Sequence, residues 1–224
     1  MRVWDDRQKT VRTIAGLDGV ADTPDGVGVA ARFLAPYGLA VDDTGSTLYI
    51  ADSGNPLVIR RIALATNTVD TVAGDYTDTS ASSVDGPRGT SRIKNGNIAW
   101  HAGKLYVTDA TKIRVLDPST LELTISGAAE LGTRDGDATT ARWAGAFWLV
   151  GQGNLLWVYD STTLRSLDLG TREVKTVVGS FDRAGMLPGA LPGSLHVVAS
   201  VTALDSGDLV VTGWEPNVMR VRLP

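Results

Sequence analysis

Carboxylates are the first residues in this chain that could do chemistry. Asp52, Asp109 and Asp160 each end a short apolar run, Leu48 to Asp52, Leu105 to Asp109 and Leu156 to Asp160. Carboxylates recurring at one position of successive units could ring a cation. The same residue type also accepts backbone N–H groups in an Asx-type turn. Recurrence favours the turn, with each Asp satisfied by the loop that follows it. Asp18, Asp22 and Asp25, and again Asp135 and Asp137, have the residue type of calcium ligands. Their spacing fits no calcium loop, so they are expected to be solvated acidic loops. Arg32, Arg92 and Arg142 could clamp an anion, but are expected to pair with loop carboxylates or backbone carbonyls between units. His101 follows Trp100 in a turn and is expected to be exposed. His196 stands where other units carry Arg, at the opposite end, so the two histidines cannot share a metal. No Ser-His-Asp spacing is present. Trp214, beside Glu215 and Pro216, replaces a recurring Asp with an aromatic, and an exposed aromatic anchors ligands and partners. The binding candidates are therefore Trp214, Glu215, Asp52, Asn55, Asp109, Asp160 and His196. No catalytic residue is assigned.

The elements that hold these residues must be strands. Val, Thr and Ile supply 56 of the 224 residues, and β-branched side chains pack well on a pleated sheet while losing rotamer freedom in a helix. The 25 glycines indicate many turns. No apolar run reaches the length of a membrane-spanning helix, and Met1-Arg2-Val3-Trp4-Asp5-Asp6 is no secretory n-region. The absence of Cys excludes disulfides and a thiolate nucleophile. A net charge of −4 argues against nucleic acid as a partner, since no basic stripe would neutralise phosphates.

The chain repeats itself. Thr13-Ile14-Ala15-Gly16, Thr71-Val72-Ala73-Gly74, Thr124-Ile125-Ser126-Gly127 and Thr176-Val177-Val178-Gly179 recur with Gly spacings of 58, 53 and 52. Between them come an Asp-Gly loop (Asp25-Gly26, Asp85-Gly86, Asp135-Gly136) and a basic-apolar pair (Arg32-Phe33, Arg92-Ile93, Arg142-Trp143, His196-Val197). A short apolar segment follows: Leu39-Ala40-Val41, Ile98-Ala99-Trp100, Trp148-Leu149-Val150, Thr202-Ala203-Leu204. Then come the strand ending in Asp, which is Gly213 in the fourth copy, and an apolar-Arg pair: Ile59-Arg60, Ile113-Arg114, Leu164-Arg165, Met219-Arg220. Each unit is thus four short strands, a to d, without helical periodicity. Four-stranded units every fifty-odd residues indicate β-propeller blades, because a sheet this small buries both faces only by stacking on its neighbours.

The order Asp-Gly, Ala-Arg-Phe, Gly-Leu-Ala-Val-Asp, Leu-Tyr-Ile-Ala-Asp-Ser-Gly-Asn, Ile-Arg, Thr-Val-Ala-Gly between Asp25 and Gly74 resembles the NHL repeat. The other copies match more loosely. The resemblance implies an all-β propeller of four-stranded antiparallel blades, usually six to a ring, and members that bind proteins or RNA or act as lyases or hydrolases. Repeats of this type resemble those of bacterial exported proteins. The first functional reading is a non-enzymatic binding or scaffold module for a protein or small molecule. A second is a hydrolase or lyase resembling gluconolactonases, with a divalent cation held by carboxylates and with Asn55 and Glu215 as candidate ligands. A third is an engineered or excised propeller piece that only folds.

The chain reads as a single domain, residues 1–224, with repeats at about 17–74, 75–127, 128–179 and 180–224, and residues 1–16 completing a blade. The strand count is four a, four b, five c and four d, which makes either a small closed ring or an arc of a larger one. The surplus c strand is expected to drive self-association through edge strands. Strands a and b are antiparallel neighbours, so the loop entering a and the loop leaving b share one end of each blade. That end carries 14 of the 25 carboxylates, is expected to be negative, and is the expected binding face.

Overall fold

The computed structural model describes residues 1–53, 56–77, 83–94, 96–125, 130–182, 195, 198–213 and 218–223. The chain is an all-β propeller of four-stranded antiparallel blades. β1 (Arg2–Asp5) and β2 (Thr10–Thr13) form a hairpin of c and d type. After the short β3 (Gly26–Val27), the first blade is β4 (Pro36–Val41), β5 (Thr47–Ser53), β6 (Leu57–Ala63) and β7 (Thr68–Ala73). The second is β8 (Ile98–His101), β9 (Lys104–Asp109), β10 (Lys112–Asp117) and β11 (Glu122–Ile125). The third is β12 (Ala146–Gln152), β13 (Leu155–Asp160), β14 (Thr163–Asp168) and β15 (Val174–Gly179). The fourth supplies β16 (Val198–Ala203), β17 (Leu209–Gly213) and β18 (Val218–Val221). Among the described residues no helix is long and apolar enough to cross a membrane.

Stacking explains the sequence pattern. Strand b is buried on both faces in β9 and β13, so it reads as a continuous apolar run rather than an alternation. Separate cores fill the gaps between blades. Leu57, Ile59 and Val72 meet Ile98 and Leu105; Tyr106 and Ile113 meet Trp143 and Leu156; Trp157 and Leu164 meet Val201 and Leu209. The β1–β2 hairpin packs Val3 and Ile14 on the first blade beside Ile50 and Ile62. The Thr-x-x-Gly repeat has a steric cause. Gly74 and Gly179 have φ of +85° and +89°, and a Cβ there would lie 2.6 Å and 2.4 Å from the Leu57 and Thr162 carbonyl oxygens.

Two registers differ from those expected. Leu39, Ile98, Leu149 and Val201 occupy equivalent positions, opposite Ile50, Val107, Val158 and Val211. The third and fourth apolar segments therefore sit one residue off the sequence alignment. In strand c, Arg60, Arg114 and Arg165 face Ile50, Val107 and Val158, but it is Met219 that faces Val211. A slip of one residue turns a side chain to the other face. Arg220 consequently lies at the surface, where it pairs with Asp208.

His101 is not simply exposed. Its Nε2–H donates to the Gly153 carbonyl at 2.8 Å, and its ring lies so close to Gly151 that a Cβ there would be 2.0 Å from the imidazole. It is a contact between the second and third blades.

Candidate functional site

The recurring aspartates sit where strand b ends, and the structure uses their charge internally. Asp52, Asp109 and Asp160 are 0%, 1% and 0% exposed. Asp160 accepts from the Ala144 and Gly145 N–H groups at 2.9 and 2.7 Å, and from Arg165 Nη1 at 2.8 Å. Asp52 accepts from the Leu34 and Ala35 N–H groups, from Tyr76 Oη at 2.6 Å, and from Arg60 at 3.5 Å. Asp109 takes the Lys94 N–H at 2.9 Å and Arg114 at 3.0 Å. The partner N–H groups belong to the loop entering strand a, not to the b–c loop expected from an Asx turn. Strand a is the antiparallel neighbour of b, so a carboxylate at the end of b reaches across to where a begins.

The arginines of strand c complete a latch in each of the first three blades. Arg165 also donates to the carbonyls of Arg142 and Arg134 and to Asp135, the last at 2.7 Å. Asp135 in turn accepts the Thr176 N–H at 2.7 Å. Arg60 with Asp25 and Thr71 repeats this arrangement, and Arg114 pairs with Asp85 at 2.7 Å. One guanidinium thus ties strands b, c and d to the loop before a. Phe33 and Trp143 stack on Arg60 and Arg165, with 5.2 and 4.7 Å from guanidinium to ring centre. Arg32, Arg92 and Arg142 pair with loop carboxylates and carbonyls as expected, but within their own units rather than between them. Arg32 and Arg142 donate to carbonyls of their own loops, and Arg92 and Arg142 pair with Asp75 and Glu130. With three of its carboxylates buried and paired, the loop face is less negative than the sequence implied.

A second feature lies beside the latches. Strand a bulges at its start in the first, third and fourth blades, between Pro36 and Gly38, Ala146 and Trp148, and Val198 and Ser200. A bulge re-aims a side chain. The bulged residues are Tyr37, Phe147 and Ala199, and Gly96 holds the corresponding place before β8. Tyr37 and Phe147 are left 45% and 53% exposed. They line a cavity of about 620 Å³ with Gly96, Asn97, Trp148 and Tyr159. Its rim includes Ala110, Thr111 and Ser161, from loops leaving strand b, and Val198 from the fourth blade. The cavity therefore opens on the end of the blades expected to bind, and all four blades contribute to it. Burial pushes the Tyr37 phenol up, against the Gly96 N–H that donates to it. Burial likewise raises Tyr159, opposed by the Val198 N–H and reinforced by the Asp160 charge.

Among the expected site residues, Asp52, Asp109 and Asp160 lie in the latches, and Asn55, His196, Trp214 and Glu215 fall outside the described residues. Tyr37, Asn97 and Phe147 were missed; the available signal was departure from the repeat at two adjacent strand positions, Tyr37 and Phe147 at one and Asn97 at the next. Among the described residues no group of three or more His, Asp or Glu could hold a metal ion. The latch aspartates do not fit one, since a cation would have to displace both a guanidinium and backbone N–H groups.

Comparison with models of known families found no match, and comparison with curated proteins found none. Solved structures do resemble the chain. A Bacteroides thetaiotaomicron protein of unknown function has a TM-score of 0.65 at 18% identity, covering 83% of this chain and 46% of that one. An auxiliary nutrient binding protein from Bacteroides ovatus has a TM-score of 0.67 at 16% identity, covering 92% and 55%. The Cps50 (Swd1) β-propeller domain of Myceliophteria thermophila has a TM-score of 0.50 at 13% identity, covering 99% and 58%. The chain spans about half the length of the first two. At these identities the likeness is one of fold, and that fold is the β-propeller.

Proposed function

We propose that this chain is a binding module of NHL type whose ligand site is the cavity at the inner ends of its a strands. The carrying observation is that strand bulges turn Tyr37 and Phe147 into a cavity of about 620 Å³, a size typical of small-molecule sites. Half-exposed aromatics in a concave site offer contact area that little else in the fold uses. The NHL reading rests on the motif order between Asp25 and Gly74. That a similarly folded Bacteroides protein is described as nutrient-binding agrees with a small-molecule ligand. The test is a screen of small molecules by ligand-observed NMR on the wild type and Phe147→Ala. Hits that lose their signal in Phe147→Ala support the site; hits indifferent to it place binding elsewhere.

Trp214 and Glu215 belong to the loop leaving strand b of the fourth blade and are proposed to extend the site. Trp214→Ala should then weaken the same hits with little change in melting temperature. Self-association is a further part of the proposal. β2 pairs only with β1, and β18 only with β17, among the described residues, and unpaired edges recruit further strands. Light scattering should give a mass above the 23.6 kDa of one chain; a monomer at high concentration would rule this part out.

A further inference from the structure

The cavity's lining says what kind of molecule it suits, an argument that rests on the cavity being the ligand site. Among the described residues no Asp, Glu, Lys, Arg or His lines it. Its titratable groups are the phenols of Tyr37 and Tyr159, both raised by burial and so neutral at physiological pH. The ion pairs that adjoin it in sequence, Arg165 with Asp160 and Arg114 with Asp109, are closed on themselves at 2.8 and 3.0 Å. An ion entering between the described lining residues would give up hydration without gaining a counter-charge from them.

The polar groups that do face the cavity are donors. Asn97 is only 6% exposed, and its Oδ1 accepts the Ile98 N–H at 2.8 Å. That bond fixes the amide orientation, because an N–H needs the oxygen. Asn97 lines the cavity, and its Nδ2 has no hydrogen-bond partner among the described residues. Each phenol, beside the Gly96 and Val198 backbone respectively, keeps its own proton to donate. Phe147 supplies a flat apolar surface beside these donors, and Gly38 leaves room for Asn97, since a Cβ there would lie 2.5 Å from Asn97 Oδ1.

We infer that the cavity takes an uncharged, flat molecule bearing a carbonyl or ring-nitrogen acceptor, stacked on Phe147 with its acceptor on Asn97 Nδ2. Leaving that amide unpaired is what a ligand without an acceptor would do, so Asn97 sets specificity while Phe147 supplies contact.

Coumarin, a neutral bicyclic lactone, and its anion coumarin-3-carboxylate are suitable probes, titrated into the full chain by calorimetry. Coumarin should bind at one site, with the carboxylate about tenfold weaker or more. Asn97→Asp keeps the acceptor for Ile98 and removes the donor. It should weaken coumarin about tenfold in protein that circular dichroism shows to be folded. Equal affinity for the two probes, or an Asn97→Asp protein that is folded and unchanged in affinity, would overturn the ligand class and leave the cavity reading standing. Coumarin binding untouched by Phe147→Ala, or no binding of either probe, would overturn the cavity reading itself. The comparison of the two probes on the wild type decides the class even where Asn97→Asp does not fold.

Discussion

In the third blade, Asp160 and Ser161 are neighbours in sequence and belong to opposite regimes. Asp160 is buried in a latch built the same way in three blades; Ser161 stands at the rim of a cavity no two blades line alike. The latch residues vary hardly at all: Asp52, Asp109 and Asp160 with Arg60, Arg114 and Arg165. The bulge position varies completely, as Tyr37, Gly96, Phe147 and Ala199. Repetition marks what holds a blade together. Departure from repetition, on a shared scaffold, marks what the assembly does once.

The largest effect should come from breaking a latch. Arg165→Met leaves Asp160 charged, buried and without its cation, and is expected to cost about 3–5 kcal/mol by urea denaturation. Arg165→Met with Asp160→Asn should cost less than Arg165→Met alone, since no charge is then stranded. Arg220→Met in the fourth blade, where the Asp is replaced by Gly213 and Arg220 is half-exposed, should cost less than about 1 kcal/mol. Equal losses at Arg165 and Arg220 would erase the distinction between the blades.

The cavity should behave the other way. Phe147→Ala removes a half-exposed ring and should cost no more than about 1–2 kcal/mol, below the range for a core aromatic, while weakening coumarin about tenfold. A loss as large as that of Arg165→Met would make Phe147 a packing residue and break the comparison from this side.

The smallest effect is an acid limb set by loop carboxylates that belong to neither region. Burial of Asp42 favours its neutral form, but N–H groups of Thr47 and Ser46 outweigh it and bring the pKa to about 2. The Thr139 hydroxyl, with further bonds from Thr139 and Thr140, brings Asp137 to about 2. Both folded values lie below the unfolded value near ~3.9. Their stabilisation is therefore full above that value and lost as pH falls from about 4 towards 2. The melting temperature should fall over that interval, and Asp137→Asn should flatten the fall slightly. An acid limb identical in Asp137→Asn would remove Asp137 from this account.

The strand order, the four-stranded blades and the shared end of the loops were legible in the sequence, because stacked blades force apolar b strands and a steric need forces Gly after Thr-x-x. The aspartates were legible as recurring structure, although their partners were not: Leu34, Ala144 and Arg165 reach them across strand pairs, which linear spacing does not reveal. The cavity was hidden by a single residue. Aligning Trp148 and Thr202 with Leu39 concealed that Leu149 and Val201 are the true equivalents, and with them the bulge that makes Tyr37 and Phe147 counterparts. The slip that carries Met219 to the arginine position was hidden for the same reason, since neither a bulge nor a register shift leaves a mark in a motif count.

The most direct measurement is a crystal of the chain soaked with coumarin. Density is expected between Tyr37 and Phe147, with the lactone oxygen on Asn97 Nδ2 and all three latches unchanged. Coumarin bound at Asp52, Asp109 or Asp160 with an arginine displaced, or bound only outside the cavity, would contradict this.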